Sequence, residues 1–231
     1  MSSPIAKQTK SRVDEALIAA HQTYSHSTRI AILANLLADR IQRRSVGKKD
    51  FQCLDIGCGD MKLSALCETK FGVGKWTGTD IHPIPPNSAN VDATFLTERY
   101  RPFNGQRMPF EDKQFECGVL FDVLHHVPDG QREMLLREAL RVCRYLIVKD
   151  HFEYSLWSRQ VLRAMDFLGT YGYGVSVPQR YFNPTSFAEL CTLAQCRVSE
   201  LQIGVRLYDH LPVLRTLLRP QWHFICYIDA T

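Results

Sequence analysis

Apolar residues recur at helical spacing twice near the start of the chain, at Val13, Ala16, Leu17, Ala20 and Tyr24, and again at Ile30, Leu33, Ala34, Leu37 and Ile41. Each set lines one face of a 3.6-residue repeat, so two amphipathic helices are expected ahead of any sheet. The pattern then changes to short apolar runs, Phe51 to Ile56, Trp76 to Thr79, Cys117 to Phe121 and Tyr145 to Val148, which read as strands buried on both faces. Between them Lys62 to Thr69 reads as a helix, and Leu135, Leu136, Ala139 and Leu140 supply the apolar face of another that opens at Pro128. Pro83, Pro85 and Pro86 force a loop, and a weakly patterned stretch runs on to about Phe103. Two late strands are expected near Val198 to Val205 and Phe224 to Ile228. Strands alternating with helices predict an α/β fold with a doubly wound, mainly parallel sheet, because parallel neighbours need crossover connections.

The connection between the strand ending near Val148 and the helix starting near Pro184 is unusually long. It holds a predicted helix, Leu156 to Leu168, with Trp157, Val161, Met165 and Leu168 on one face. Glycines and aromatics follow at Gly169, Tyr171, Gly172, Tyr173, Gly174, Tyr181 and Phe182. Long connections at the C-terminal ends of parallel strands commonly form lids or binding loops. This one is expected to cap a substrate, with ordinary core packing the alternative for any single residue in it.

A length of 231 residues suits one domain with a full core. The apolar share of 45% and charged share of 23% are those of a globular protein. No apolar run reaches about 18 residues and no basic-then-apolar leader opens the chain, so neither membrane insertion nor secretion is expected and the location is read as cytoplasmic. The net charge of +4 is spread out. Its one modest cluster, Arg40, Arg43, Arg44, Lys48 and Lys49, reads as a solvated helix end rather than a nucleic-acid surface. None of the eight cysteines forms a C-x-x-C, and Cys53, Cys117 and Cys226 sit in strand-like runs. Buried, reduced thiols and no metal site are therefore expected.

Chemistry concentrates at Leu54-Asp55-Ile56-Gly57-Cys58-Gly59-Asp60, directly after one strand and before a helix. Glycines there let the backbone turn sharply and keep side chains away from a ligand, and the C-terminal edge of a parallel sheet is where ligands bind. A dinucleotide fingerprint would need a third glycine where Lys62 stands, and the loop opens with an acid, so phosphate is a poor ligand for it. Asp55 suits a positively charged amino-acid group. Asp80, ending the next strand before Ile81, can accept hydrogen bonds from both hydroxyls of a ribose. Either acid alone is equally consistent with a turn or cap, and their ordered combination is the stronger signal.

These motifs resemble those of the class I S-adenosylmethionine-dependent methyltransferases, in particular the small-molecule group of the "type 11" kind. The resemblance implies a Rossmann-like sheet carrying N-terminal helices and a cap inserted after the fifth strand. It covers about residues 50 to 150, through Phe103-Asn104-Gly105-Gln106-Arg107-Met108-Pro109-Phe110 and Phe121-Asp122-Val123-Leu124-His125-His126-Val127-Pro128-Asp129. It implies S-adenosylmethionine as cofactor, held by Asp55, Gly57, Cys58, Gly59, Asp80, Ile81, Asn104, Gly105, Phe121 and His126. Asn104 stands where the family has an adenine-contacting acid, and its amide oxygen can still accept from the adenine amino group. Glu116 likewise replaces the usual Asp. The chain then divides into N-terminal helices (1–50), a cofactor-binding core (51–150), a substrate cap (151–183) and a C-terminal helix with strands (184–231), all in one domain.

Methyl transfer from a sulfonium needs in-line positioning and exclusion of water, and a hydroxyl acceptor gains from a general base. His125 is the expected base, since related plant enzymes place a histidine in a similar segment, with His151 and Asp150 next. Capping or packing beside the cofactor loop is the alternative for both His125 and His126. Tyr24 and His26 could close over the cofactor. The expected acceptor is a small, apolar or aromatic molecule methylated at oxygen or nitrogen. The alternatives are a macromolecular acceptor such as RNA, against which stands the lack of an N-P-P-Y-type motif at Phe121-Asp122-Val123-Leu124, and a catalytically silent cofactor-binding subunit.

Overall fold

The computed structural model describes residues 27–45, 50–84, 91–169, 175–210 and 217–231. The helix expected over Val13 to Tyr24, with His26, Pro85, Pro86 and the 171–174 aromatics, lies outside these. In chain order the elements are α1 (Ser27–Ser45), β1 (Gln52–Ile56), α2 (Lys62–Thr69), β2 (Lys75–Thr79), α3 (Ala93–Arg99), β3 (Phe115–Phe121), α4 (Asp129–Val142) and β4 (Cys143–His151). They continue with α5 (Leu156–Gly169), α6 (Pro184–Leu193), β5 (Cys196–Ile203) and β6 (His223–Ala230). A 3₁₀ turn, Leu124–His126, follows β3.

The six strands form one sheet in the order β2-β1-β3-β4-β6-β5. The first four run parallel, and β6 is antiparallel to both β4 and β5. Strand β4 is buried at every position but Arg144, as a central strand covered on both faces must be. Alternation along the strands splits the core in two. Cys53, Trp76, Val119, Ile147 and Tyr227 face α1 and α2, while Leu54, Leu120, Leu146, Val148 and Cys226 face α4 and α6. Burial of Leu33, Leu37 and Ile41 on α1, each stabilising by about 1.5–3 kcal/mol, fixes that helix against the sheet.

The long connection and α5 follow the fourth strand. Residues 100–103 also run alongside β2, with Arg101 N–H donating to Gly78 O at 2.8 Å and Phe103 N–H to Asp80 O at 3.1 Å. Counted with that segment, β4 is fifth. Helix α3 is absent from the sequence pattern because it buries no residue, and Asp92 starts it by accepting from Phe95 N–H at 3.0 Å. Helix α6 begins at Pro184, where Asn183 and Ser186 form a reciprocal capping box.

The expected solvated end of α1 holds for exposed Arg43, is corrected for Arg40 and Arg44, and for Lys48 and Lys49 lies outside the described residues. Arg40 is buried, and the Arg44 guanidinium lies 3.9 Å over the Tyr227 ring and 3.1 Å from Asp229. Arg40 donates to Gln202 of β5, while β6 supplies Tyr227 and Asp229 for Arg44. All eight cysteines are buried and free. Among the described residues no helix is long and apolar enough to cross a membrane.

Candidate active site

Parallel strands β1, β2, β3 and β4 all deliver their C-terminal ends to one edge of the sheet, and the sequence-predicted residues collect there. After β1 the chain turns through Gly57 at φ +74° and Gly59 at φ +51°, both in the left-handed region that favours glycine. Gly57 N–H donates to Thr79 O at 2.8 Å, which ties the loop to β2. A Cβ on Gly57 would stand 2.6 Å from Val123 Cγ2, whereas one on Gly59 would meet nothing within 4 Å. Gly57 is thus required by packing inside the protein, and Gly59 by the open cradle it borders. Cys58 is buried within the same loop.

Asp80 closes this cradle. Its carboxylate accepts from Gly59 N–H at 3.0 Å and from His82 N–H at 2.9 Å, leaving lone pairs for further donors. Beside it Ile81 is 58% exposed, an apolar surface at the sheet edge, and a Cβ on Gly105 would sit 3.5 Å from Ile81 Cγ2. Asn104 is exposed, and its amide oxygen is occupied by Gln106 and Arg107 N–H at 3.0 and 3.1 Å. The oxygen expected to face an adenine therefore builds a turn, and the amide NH₂ is the group left over. Asp55 is buried and accepts from Ser64 Oγ at 2.8 Å. Burial pushes its carboxyl up to about 7, Ser64 works against this, and the nearby charges of Asp80 and Asp60 add to it. A cation placed among three acids would relieve that repulsion.

Past β3 lies a second constellation. Phe121 ends the strand half-buried, and Asp122 follows at φ +58°, a conformation Asp tolerates better than most residues. The turn aims the Asp122 carboxylate at Lys149 Nζ, 2.5 Å away, at His151 Nε2, 3.1 Å away, and at Arg29 of α1. Burial raises the Asp122 carboxyl, but Lys149 and Arg29 outweigh it and hold Asp122 well below the usual carboxylate range. His151 Nδ1 and His223 Nδ1 are 3.0 Å apart, in register across β4 and β6. Burial keeps both imidazoles neutral.

His125, only 1% exposed, donates through Nδ1 to Asp150 at 2.6 Å, and its Nε2 lies 3.2 Å from Asp166 Oδ2 of α5. That second approach is an ion pair poorly aligned for a hydrogen bond. Burial lowers the affinity of the ring for a proton, but Asp150 and Asp166 together overcome it and push His125 up to about 10. The ring of the expected base is thus held between two carboxylates that favour its protonated form. His126 is the reverse. Its Nδ1 is bonded to Ser176 O at 3.1 Å, and burial with the His125 charge takes it down to about 4. Tyr181 donates its hydroxyl to Asp166.

Six of the participants, Arg29, Asp122, Lys149, Asp166, Tyr181 and His223, were not singled out as site residues in the sequence. Only the run Val148-Lys149-Asp150-His151, four consecutive buried positions bearing three polar side chains, advertised buried chemistry.

Residues 29–201 match the family described as "Methyltransferase domain". Among solved structures, the putative methyltransferase complexed with the Haloferax volcanii Trm112 methyltransferase activator is similar, with TM-score 0.62 and 16% identity over 95% of this chain and 97% of that one. Magnesium protoporphyrin IX methyltransferase from Synechocystis PCC 6803, with bound SAH, gives 0.56 and 13% over 98% and 90%. The [4+2]-cyclase SpnF gives 0.54 and 14% over 84% and 80%. At such identities the likeness is one of fold.

Proposed function

Since the chain belongs to the methyltransferase-domain family and is a class I S-adenosylmethionine-dependent methyltransferase, we propose that its methyl acceptor is a small, apolar or aromatic molecule bearing a hydroxyl or amine. The observation that carries this is the adjacency of two sites on one sheet edge. Val123 touches Gly57 of the cofactor loop, and two residues later His125 opens the buried acceptor-side cluster. A deeply enclosed cluster under α5 suits a small acceptor better than an accessible polymer.

S-adenosylmethionine supplies an electrophilic methyl group on a sulfonium. The chain's own residues bind and orient. Asp80 takes the ribose hydroxyls, Ile81 offers its apolar face and Asn104 its amide NH₂ to the adenine. Asp55 favours the positive charge of the amino-acid portion. On the acceptor side the hydroxyl or amine meets Asp166 and His125, and Asp150 holds the His125 ring in place. Enclosure beneath α5 excludes water from the reacting atoms.

A lysate split by ultrafiltration, with each fraction incubated with the protein and methyl-labelled S-adenosylmethionine, tests the acceptor class. Label in extractable low-mass products is the expected result, and label in RNA or protein alone would overturn it. The nearly complete overlap with the activator-bound archaeal protein favours a second reading, a macromolecular methyltransferase that needs a partner. Co-expression with a Trm112-type activator would then produce retentate labelling that the isolated chain lacks.

A further inference from the structure

We propose that His125, His126 and Asp166 bind one divalent first-row transition-metal ion on the acceptor side of the site. Their ligand atoms lie within 4.8 Å of one another, and two imidazoles with one carboxylate are a donor set suited to such ions. The three residues are also oriented as metal ligands are. His125 is anchored through Nδ1 on the Asp150 carboxylate at 2.6 Å, and His126 through Nδ1 on the Ser176 carbonyl at 3.1 Å, which leaves each Nε2 as the coordinating nitrogen. Tyr181 hydrogen-bonds to the Asp166 carboxylate.

A second observation points to a ligand. His125 Nε2 is fully buried and faces Asp166 Oδ2 at 3.2 Å, poorly aligned for a hydrogen bond. That spacing serves an ion pair when the ring is protonated and suits two atoms facing a shared ion when it is not. Binding the ion displaces the Nε2 proton that Asp150 and Asp166 favour on His125, so ligation and protonation compete at that nitrogen. The alternative trio Asp122, His125 and His151 is equally close-set but already neutralised, because Asp122 pairs with Lys149 and Arg29. An ion there would meet two positive neighbours.

The inference deepens the proposed reaction and takes its acceptor site from it. Three protein ligands leave coordination positions open, and an acceptor hydroxyl bound in one loses its proton to solvent more readily. Its oxygen then bonds to the methyl carbon as the sulfonium C–S bond breaks, and sulfur keeps the electron pair. The sequence concealed this because His125 and His126 are adjacent while Asp166 arrives on α5, a spacing unlike any zinc motif.

The test uses the full chain, stripped by chelator and titrated with Co²⁺. A visible d–d absorption band saturating at one ion per chain and displaced by Zn²⁺ is expected. Asp166→Asn should abolish it, and Asp150→Asn should weaken binding by about 10- to 100-fold. His126→Gln serves as the second ligand variant should Asp166→Asn fail to fold. Cofactor binding is measured calorimetrically on the same stripped protein, so loss of the metal site and failure of the cofactor reading are separable. No band in folded, cofactor-binding protein, or a band unchanged in the ligand variants, would overturn the proposal.

Discussion

Asp150 and His125 are joined across 2.6 Å with neither side chain exposed to solvent, and the same carboxylate accepts the His151 backbone N–H at 2.7 Å. One acid at the end of β4 thereby fixes the ring on the 3₁₀ turn after β3 and the backbone of its own strand.

Removing that acid leaves a buried imidazole without its partner. Asp150→Ala should cost about 3–5 kcal/mol of stability, the range for breaking one side of a buried charged pair. Urea unfolding measures it, and a loss below about 1 kcal/mol would show that the contact does not hold the turn.

The two loop glycines should fail differently. Gly57→Ala forces a Cβ to within 2.6 Å of Val123 Cγ2 in a left-handed conformation, so stability should fall by about 1–3 kcal/mol, with partial rescue by Val123→Ala. Gly59→Ala meets no atom within 4 Å and should lose about 1–2 kcal/mol from backbone strain, while cofactor affinity falls further as the methyl group enters the cradle. Equal losses of affinity in both variants, scaled to stability, would reject the cradle.

Asp80→Ala should weaken S-adenosylmethionine binding by about 1.5–3 kcal/mol, as hydrogen bonds to a charged acceptor are lost. Isothermal calorimetry of the folded variant decides it. Unchanged affinity removes Asp80 from the ribose.

Asp55 makes cofactor binding depend on pH. Its carboxyl is pushed up from 3.8 to about 7, so the folded chain holds a proton there that the unfolded chain gives up near pH 4. The stability Asp55 contributes is fully present below that lower value and is lost as pH rises through about 7. Affinity for a positively charged ligand runs the other way and should increase across the same window, as the carboxylate ionises. Asp55→Asn should flatten both profiles in calorimetry and thermal melts at pH 5 to 8.

How much of this was legible in the residues follows from which forces are local. Leu54 to Asp60 announced itself because a buried strand followed by two glycines has few other meanings, and Asp80 because it ends the neighbouring strand. Helix α3 carried no signal since it buries nothing, and its start depends on the Asp92 cap. His125 was visible, but its charge state was not. That is set by Asp150 of β4 together with Asp166, which α5 brings to it through tertiary packing. Arg44 looked like a solvated end because its cover, Tyr227 and Asp229, lies on the last strand.

The position of β6 between β4 and β5 imposes an order on assembly during synthesis. Strand β5 leaves the ribosome before β6, yet β6 is its sole neighbour in the sheet, so it has no edge to pair with until the later strand has docked. Until then β4 presents an open edge, and His151 lacks the ring that faces it from His223. A nascent chain paused after β5 would carry a finished cofactor loop beside an unfinished, adhesive sheet, which is the interval in which a chaperone would find it.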